Sequence, residues 1–338
     1  MKIFTEGSRV LVTGGAGFIG SHLVDQLIDS GCFVTVLDNF RNGRRENLAR
    51  ADLSGRLRVV EADVTDSFAC NTAIGKECSA VFHLACLGVR HSLHSPMENH
   101  HVNATGTLEI LEASRRAGVG RFIYMSTSEV YGAAPEFPLK EDSPTWPTTV
   151  YGASKLAGEH YSAAYQGCFG LPVIRVRPFN NYGARAHFHG DSGEVIPRFI
   201  LRTLAGEAPV IFGDGTNTRD FLYVKDCAAG LLAIAECDGL IGEVVNLGYG
   251  EETTISDLAE LILETLGRSD LKPVHDKGRP GDVPRLKVDS AKLVKKTGFI
   301  PRTKLADGLR LAVEHYCEIF RKDPDCLSKI QSRNWEIQ

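Results

Sequence analysis

The run Val10-Leu-Val-Thr-Gly-Gly-Ala-Gly-Phe-Ile-Gly20 decides the fold. An apolar strand enters three glycines spaced three apart and leaves into a helical pattern, an arrangement that cradles a dinucleotide. Gly14 permits the tight turn out of the strand. Gly17 lets the backbone approach a pyrophosphate with no Cβ in the way, and Gly20 lets the next helix pack closely. The helix expected over Phe18–Ser30, with Phe18 and Ile19 in its first turn, aims its amides and positive dipole end at the phosphates. A second strand, Phe33-Val-Thr-Val-Leu37, leads into Asp38 and Asn39. A carboxylate at that strand end accepts adenosine ribose hydroxyls and would repel a 2′-phosphate, so NAD is favoured over NADP. An NADP site would need Arg41, Arg44 or Arg45 to hold the phosphate, but these fall in the following loop, which reads as solvated.

Outward from this run, strands are expected at Val10–Thr13, Phe33–Leu37, Leu57–Glu61, Ala80–Leu84, Phe122–Ser126 and Val173–Val176. Helical patterns separate them, including Val102–Ala117 before Gly118. Such alternation predicts an α/β fold with a Rossmann-type, doubly wound parallel sheet. Ligands of these sheets bind beyond the carboxyl ends of the strands, where Gly14, Asp38, Asp63, Val64, His83, Leu84, Ala85, Thr127 and Pro178 fall. Asp63 reads equally as an adenine contact or a turn cap. His83 is expected beside the cofactor through its backbone. Residues 1–178 make the NAD-binding domain, with about 214–250 returning to it, and residues 179–330 a smaller C-terminal substrate-binding lobe. The charged tail Asp323–Gln338 reads as a peripheral appendage.

Composition narrows the partners. The 338 residues carry a formal charge of −4, so no basic field invites nucleic acid. Nine cysteines without metal-like or paired spacing fit a reducing compartment, and the cytoplasm is the expected location. No stretch has the length of a membrane span. His100, His101, His187 and His189 lack the spacing of metal ligands, and solvated loop histidines are expected, with no metal.

The chemistry points to Tyr151-Gly-Ala-Ser-Lys155. Four residues place Tyr151 and Lys155 on one helical face, where the ammonium, helped by the positive nicotinamide, would lower the phenol's pKa toward that of a usable base. Upstream, Ser126-Thr-Ser-Glu-Val-Tyr-Gly132 supplies hydroxyls and a carboxylate at the end of a strand.

With the cradle, these motifs make the chain similar to the extended short-chain dehydrogenase/reductase family, in particular its NAD-dependent nucleotide-sugar epimerases, dehydratases and decarboxylases. The resemblance runs from Gly14 to the Arg279-Pro-Gly-Asp282 loop. It implies an enzyme, expected as a homodimer, in which Tyr151 takes a proton from the sugar 4-hydroxyl, Thr127 bonds the same oxygen, and Lys155 tunes Tyr151 and binds the nicotinamide ribose. It also implies that Asn180 contacts the diphosphate, Arg219 neutralises it, and Arg279 and Asp282 hold phosphate and nucleoside ribose. Asn103 reads as a packing amide that ties loops together or as a cofactor contact.

Glu129 separates the possible second reactions. It lies where sugar 4,6-dehydratases carry an acid, and a carboxylate there can remove the proton at carbon 5 once carbon 4 is a ketone. Ser128 stands where many dehydratases have aspartate. The segment Leu87-Gly-Val-Arg-His-Ser-Leu93, with Arg90 facing substrate, looks more like the epimerase subgroup, and Arg185 either meets a sugar carboxylate or lines the cleft. The expected order is 4,6-dehydration, 4-epimerisation, decarboxylation, then a silent NAD-binding sensor of the same fold.

Overall fold

A computed structural model describes residues 3–75 and 77–336. In chain order the main elements are β1 (Arg9–Thr13), α1 (Phe18–Asp29), β2 (Phe33–Asp38), β3 (Leu57–Glu61), α2 (Ser67–Ile74), β4 (Cys78–His83), α3 (Gly106–Ala117), β5 (Phe122–Met125), α4 (Val150–Phe169) and β6 (Val173–Pro178). They continue with α5 (Val195–Leu204), α6 (Val224–Ala235), β7 (Val244–Leu247), α7 (Ile255–Thr265) and α8 (Leu305–Lys322). Seven parallel strands form one sheet in the order β7-β6-β5-β4-β1-β2-β3. The order reverses between β1 and β4, which opens a crevice beyond their carboxyl ends.

Period-two alternation sends neighbouring residues of β1 to opposite faces. Val10 and Val12 pack with Leu23, Val24 and Leu27 of α1 and Leu231 of α6, while Leu11 packs with Ile110 and Leu111 of α3. Local chemistry sets the helix ends. Asp66 caps α2 by accepting from the amides of Phe68 and Ala69, and Gly118 closes α3 in the left-handed conformation. The expected helix Val102–Ala117 divides in two, because His101–Thr105 forms a wider π turn before α3 begins.

A second core holds the smaller lobe, with Phe199 and Leu201 of α5, Leu258 and Ile262 of α7, and Leu309 and Tyr316 of α8. The tail is not the expected appendage. Cys326, Asn334 and Trp335 are all buried, and Arg333 forms a fork with Asp276, so the lobe core and ion pairing draw the segment inward. Residues 337 and 338 lie outside the described residues. No described helix is long and apolar enough to cross a membrane.

Candidate active site

A continuous cleft of about 690 Å³ runs across the carboxyl edge of the sheet into the smaller lobe. At the β1 end, Gly14 has φ +68°, and a Cβ there would stand 2.8 Å from the Ala85 amide nitrogen. A Cβ on Gly20 would stand 2.2 Å from the Gly14 carbonyl oxygen, so its constraint is the turn itself rather than the sheet. Gly17 is open apart from the Gly14 oxygen at 3.1 Å. Phe18, Ile19, Asn39, Val64, Leu84, Ala85 and Pro178 line the same cleft.

Asp38 is buried, and its two oxygens accept from the Ala16 and Phe40 amides, both at 2.9 Å. Each oxygen keeps a lone pair for a ribose hydroxyl. Burial pushes its pKa up and the two amides oppose that. The three arginines after it are exposed, as in a solvated loop, and each has a partner. Arg41 pairs with Glu98, Arg44 meets His189, and Arg45 pairs with Glu61 and lies over the Phe40 ring. Asp63 lines the cleft and also caps a turn through the Thr65 amide and hydroxyl. Burial pushes its carboxyl up, but the Thr65 and Asn39 hydrogen bonds outweigh it and the net shift is down.

The reacting centre is placed by α4. Thr149 caps the helix through the Gly152 amide, which puts Tyr151 in the first turn and Lys155 one turn later. Helix and β5 come together closely because Gly158 has no side chain, and the Tyr124 hydroxyl donates to the Lys155 carbonyl at 2.9 Å. The Lys155 ammonium sits 4.7 Å from the centre of the Tyr124 ring and is almost fully buried, which lowers its pKa. Tyr151 lines the cleft together with Lys155. Burial pushes its phenol well above the ordinary value, Cys86 adds to this, and the Thr127 hydroxyl is the group that opposes it. The lowering expected from Lys155 together with the positive nicotinamide belongs to the enzyme with NAD bound, where a second cation would oppose the burial.

Thr127 accepts from the Glu129 amide at 3.2 Å, and Ser128 and Glu129 follow in a tight turn on the cleft wall. The Glu129 carboxyl is buried, with Oε2 lacking a partner among the described residues. Burial pushes its pKa up, against the attraction of Arg279 and Arg219. Beneath this wall, Arg177 forks onto Glu159 at 2.7 and 2.8 Å, and Ser126 donates to the same carboxylate.

Beyond Glu129, Arg219 and Arg279 converge on Asp282, while Asn180 presents a buried oxygen with no partner among the described residues. Arg90 donates to the Asp191 and Ser192 carbonyls, and burial lowers its pKa to about 10. Sequence reasoning missed Glu194, which lines the cleft near Arg90 and whose pKa burial raises to about 7. An acid opening an amphipathic helix reads as a cap, and nothing local showed that it faces the centre.

Three expectations need correction. Arg185, at φ +66°, turns away from the cleft and pairs with Asp25 on α1 at 3.0 Å. Asn103 is the packing amide of its first reading, tying Leu87, Asn99 and Ser154 together, and only its reading as a cofactor contact falls, since it does not line the cleft. The His83 side chain is buried between Thr13 and Thr107, bonding both hydroxyls, and burial lowers its pKa to about 3, which leaves only its backbone for a contact with the cofactor. His187 is no solvated loop residue, since it bonds the Asn42 carbonyl and lines the cleft. His91, His94 and Asp191 offer atoms within 4.8 Å of one another, but the Arg41 guanidinium already stands 3.1 Å from His91 Nε2.

Residues 10–248 match the NAD dependent epimerase/dehydratase family. The chain belongs to that family. It is 36% identical over 310 residues to a UDP-glucose 4-epimerase of Mycolicibacterium smegmatis, covering 91% of this chain and 98% of that protein. It is 38% identical over 317 residues to a dTDP-glucose 4,6-dehydratase of Streptomyces niveus, covering 91% and 92%. A solved dTDP-glucose 4,6-dehydratase from Streptomyces venezuelae with NAD bound superposes with a TM-score of 0.87 at 33% identity, over 93% of this chain and 98% of that one. Family membership makes the chain an NAD-dependent enzyme, and the glycine turn, the Asp38 lone pairs and the cleft beside Lys155 fit that cofactor.

Proposed function

We propose that the protein is a 4,6-dehydratase of a nucleotide-linked hexose. The observation that carries this reading is Glu129, a buried carboxyl on the cleft wall with an oxygen unpartnered among the described residues, two residues from Thr127 and electrostatically coupled to Tyr151. Burial that raises its pKa makes it a stronger base than an exposed glutamate.

Gly14, Gly17 and Asp38 would hold NAD with Lys155 on its nicotinamide ribose, and the bound cofactor supplies the oxidising power at carbon 4 and recovers it at the end. Tyr151 takes the proton of the 4-hydroxyl while Thr127 holds the same oxygen. Asn180, Arg219, Arg279 and Asp282 hold the diphosphate and the nucleoside ribose, the arginine forks suiting phosphate oxygens. Glu129 then removes the proton at carbon 5. The bond from carbon 6 to its hydroxyl breaks, and because Ser128 is no acid, Glu129 returns that proton to the leaving oxygen as water departs; Glu129 then takes a proton from solvent and delivers it to carbon 5, while carbon 6 would take back the hydride that the cofactor held.

A 4-epimerase is the second reading, favoured by Ser128 and by the epimerase relatives. It needs only proton transfer by Tyr151 and a ketone that turns in the site. Decarboxylation of a uronate is weakened by Arg185, which is spent on Asp25. Product mass in heavy water separates the three: loss of water with deuterium at carbon 5, an isomer of unchanged mass, or loss of carbon dioxide. Under the leading reading Glu129→Gln keeps oxidation at carbon 4 but stops the water loss. An enzyme that leaves carbon 5 free of deuterium with every nucleotide sugar it turns over is not a dehydratase.

A further inference from the structure

The inward course of the tail places a tryptophan in the substrate cleft. Arg198 of α5 donates to the Gln331 and Ser332 carbonyls at 2.8 and 2.9 Å and to Asn334 Oδ1 at 3.2 Å. Asn334, 2% exposed, donates to the Gly190 and Gly193 carbonyls at 3.1 and 3.0 Å. These anchors hold Trp335 with its ring 4.6 Å from that of Phe212 and nearly perpendicular to it, at 87°. Both rings line the cleft. The corner adjoins the anionic-ligand end, since Asp276, held by Arg333, lies three residues before Arg279.

We propose that Trp335 is a wall of the nucleobase subsite, so that the tail contributes affinity for the nucleoside half of the substrate. The proposal rests on the nucleotide-sugar reading above. With the hexose at Tyr151 and Glu129 and the diphosphate and ribose at Arg219, Arg279 and Asp282, the last group of the ligand is planar and aromatic. An edge-to-face aromatic corner is the surface that matches it. A second link runs through the 190–193 loop, which Asn334 grips from one side while Arg90 donates to its Asp191 and Ser192 carbonyls from the other. The tail therefore also supports the loop that positions Arg90.

The chain has two tryptophans, and Trp146 is 63% exposed, so Trp146→Phe leaves Trp335 as the fluorescent reporter. The NAD-saturated enzyme in that background is titrated with UDP, with dTDP and with inorganic pyrophosphate. The expected result is a fluorescence change with one or both nucleoside diphosphates and none with pyrophosphate. Trp335→Ala should weaken the nucleoside diphosphate roughly 5- to 150-fold, the range for loss of one base-stacking aromatic, and leave pyrophosphate and NAD affinities unchanged. Trp335→Phe should recover most of the loss, which a merely unfolded tail would not allow. Unchanged or tighter binding by Trp335→Ala overturns the proposal, the tighter case making the ring a plug. If the parent enzyme binds neither nucleoside diphosphate, the nucleotide-sugar reading falls and this proposal with it; intact binding that ignores Trp335 sinks this proposal alone.

Discussion

Gly158→Ala tests whether the close contact between α4 and β5 sets the reacting centre. A Cβ at that position would stand 2.1 Å from the Tyr124 hydroxyl oxygen, 2.5 Å from Cζ and 3.0 Å from Cε2. Tyr124 cannot swing aside, because it is fully buried, tilts against His83 and donates to the Lys155 carbonyl. Two effects compete. Alanine in a helix interior is favoured over glycine by about 1 kcal/mol. Opening a gap of more than an ångström in a packed core costs about 1–3 kcal/mol, and losing the hydroxyl's hydrogen bond adds about 1 kcal/mol. Net destabilisation of about 1–3 kcal/mol is expected, read as a lower urea midpoint. Lys155 moves with the helix, and a shift of about an ångström at a positioning group costs up to ~10²-fold in turnover. Tyr124→Phe removes the nearest clashing atom, so the double variant should recover about 1 kcal/mol relative to additivity. A Gly158→Ala enzyme at least as stable as the parent, with unchanged turnover, refutes the argument.

Tyr151→Phe should retain NAD binding in a fluorescence titration and lose about 10²- to 10⁴-fold in turnover, the contribution of a positioned general base; near-normal turnover removes Tyr151 from that role. Glu194 gives a pH signature. Its pKa is raised to about 7 by burial against the pull of Arg90, so the folded state prefers the protonated carboxyl. That stability is fully present below about pH 4.5, the ordinary carboxyl value, and is lost as pH rises through about 7. Because 31% of the side-chain surface is reachable from the cleft, solvent screens part of the effect. Melting temperatures of the parent and of Glu194→Gln should therefore coincide near pH 4.5 and separate by pH 8, with the glutamine enzyme the more stable. Parallel curves across that range would show that Glu194 titrates as an ordinary surface acid.

The parallel sheet, the glycine turn, the Asp38 strand end and the Tyr151/Lys155 spacing were legible in the sequence because each rests on short-range rules. Strand alternation, a positive φ that glycine adopts freely, and the helical repeat all act within a few residues. Thr127, Ser128 and Glu129 were legible for the same reason, lying just beyond a strand end. What tertiary structure decided involves partners far apart in the chain. Arg185 is taken from the cleft by Asp25, Asn103 by Leu87 and Ser154, and Glu194 is brought in by the packing of α5. The tail shows the limit most clearly. Its charge pattern reads as solvated, yet Arg333 and Asn334 find partners at Asp276, Gly190 and Gly193 that draw Trp335 into the cleft. The pKa balance at Tyr151 was likewise beyond the sequence. Spacing shows that an ammonium lies one turn away, but the depth of burial, which opposes it, is a property of the whole packed molecule.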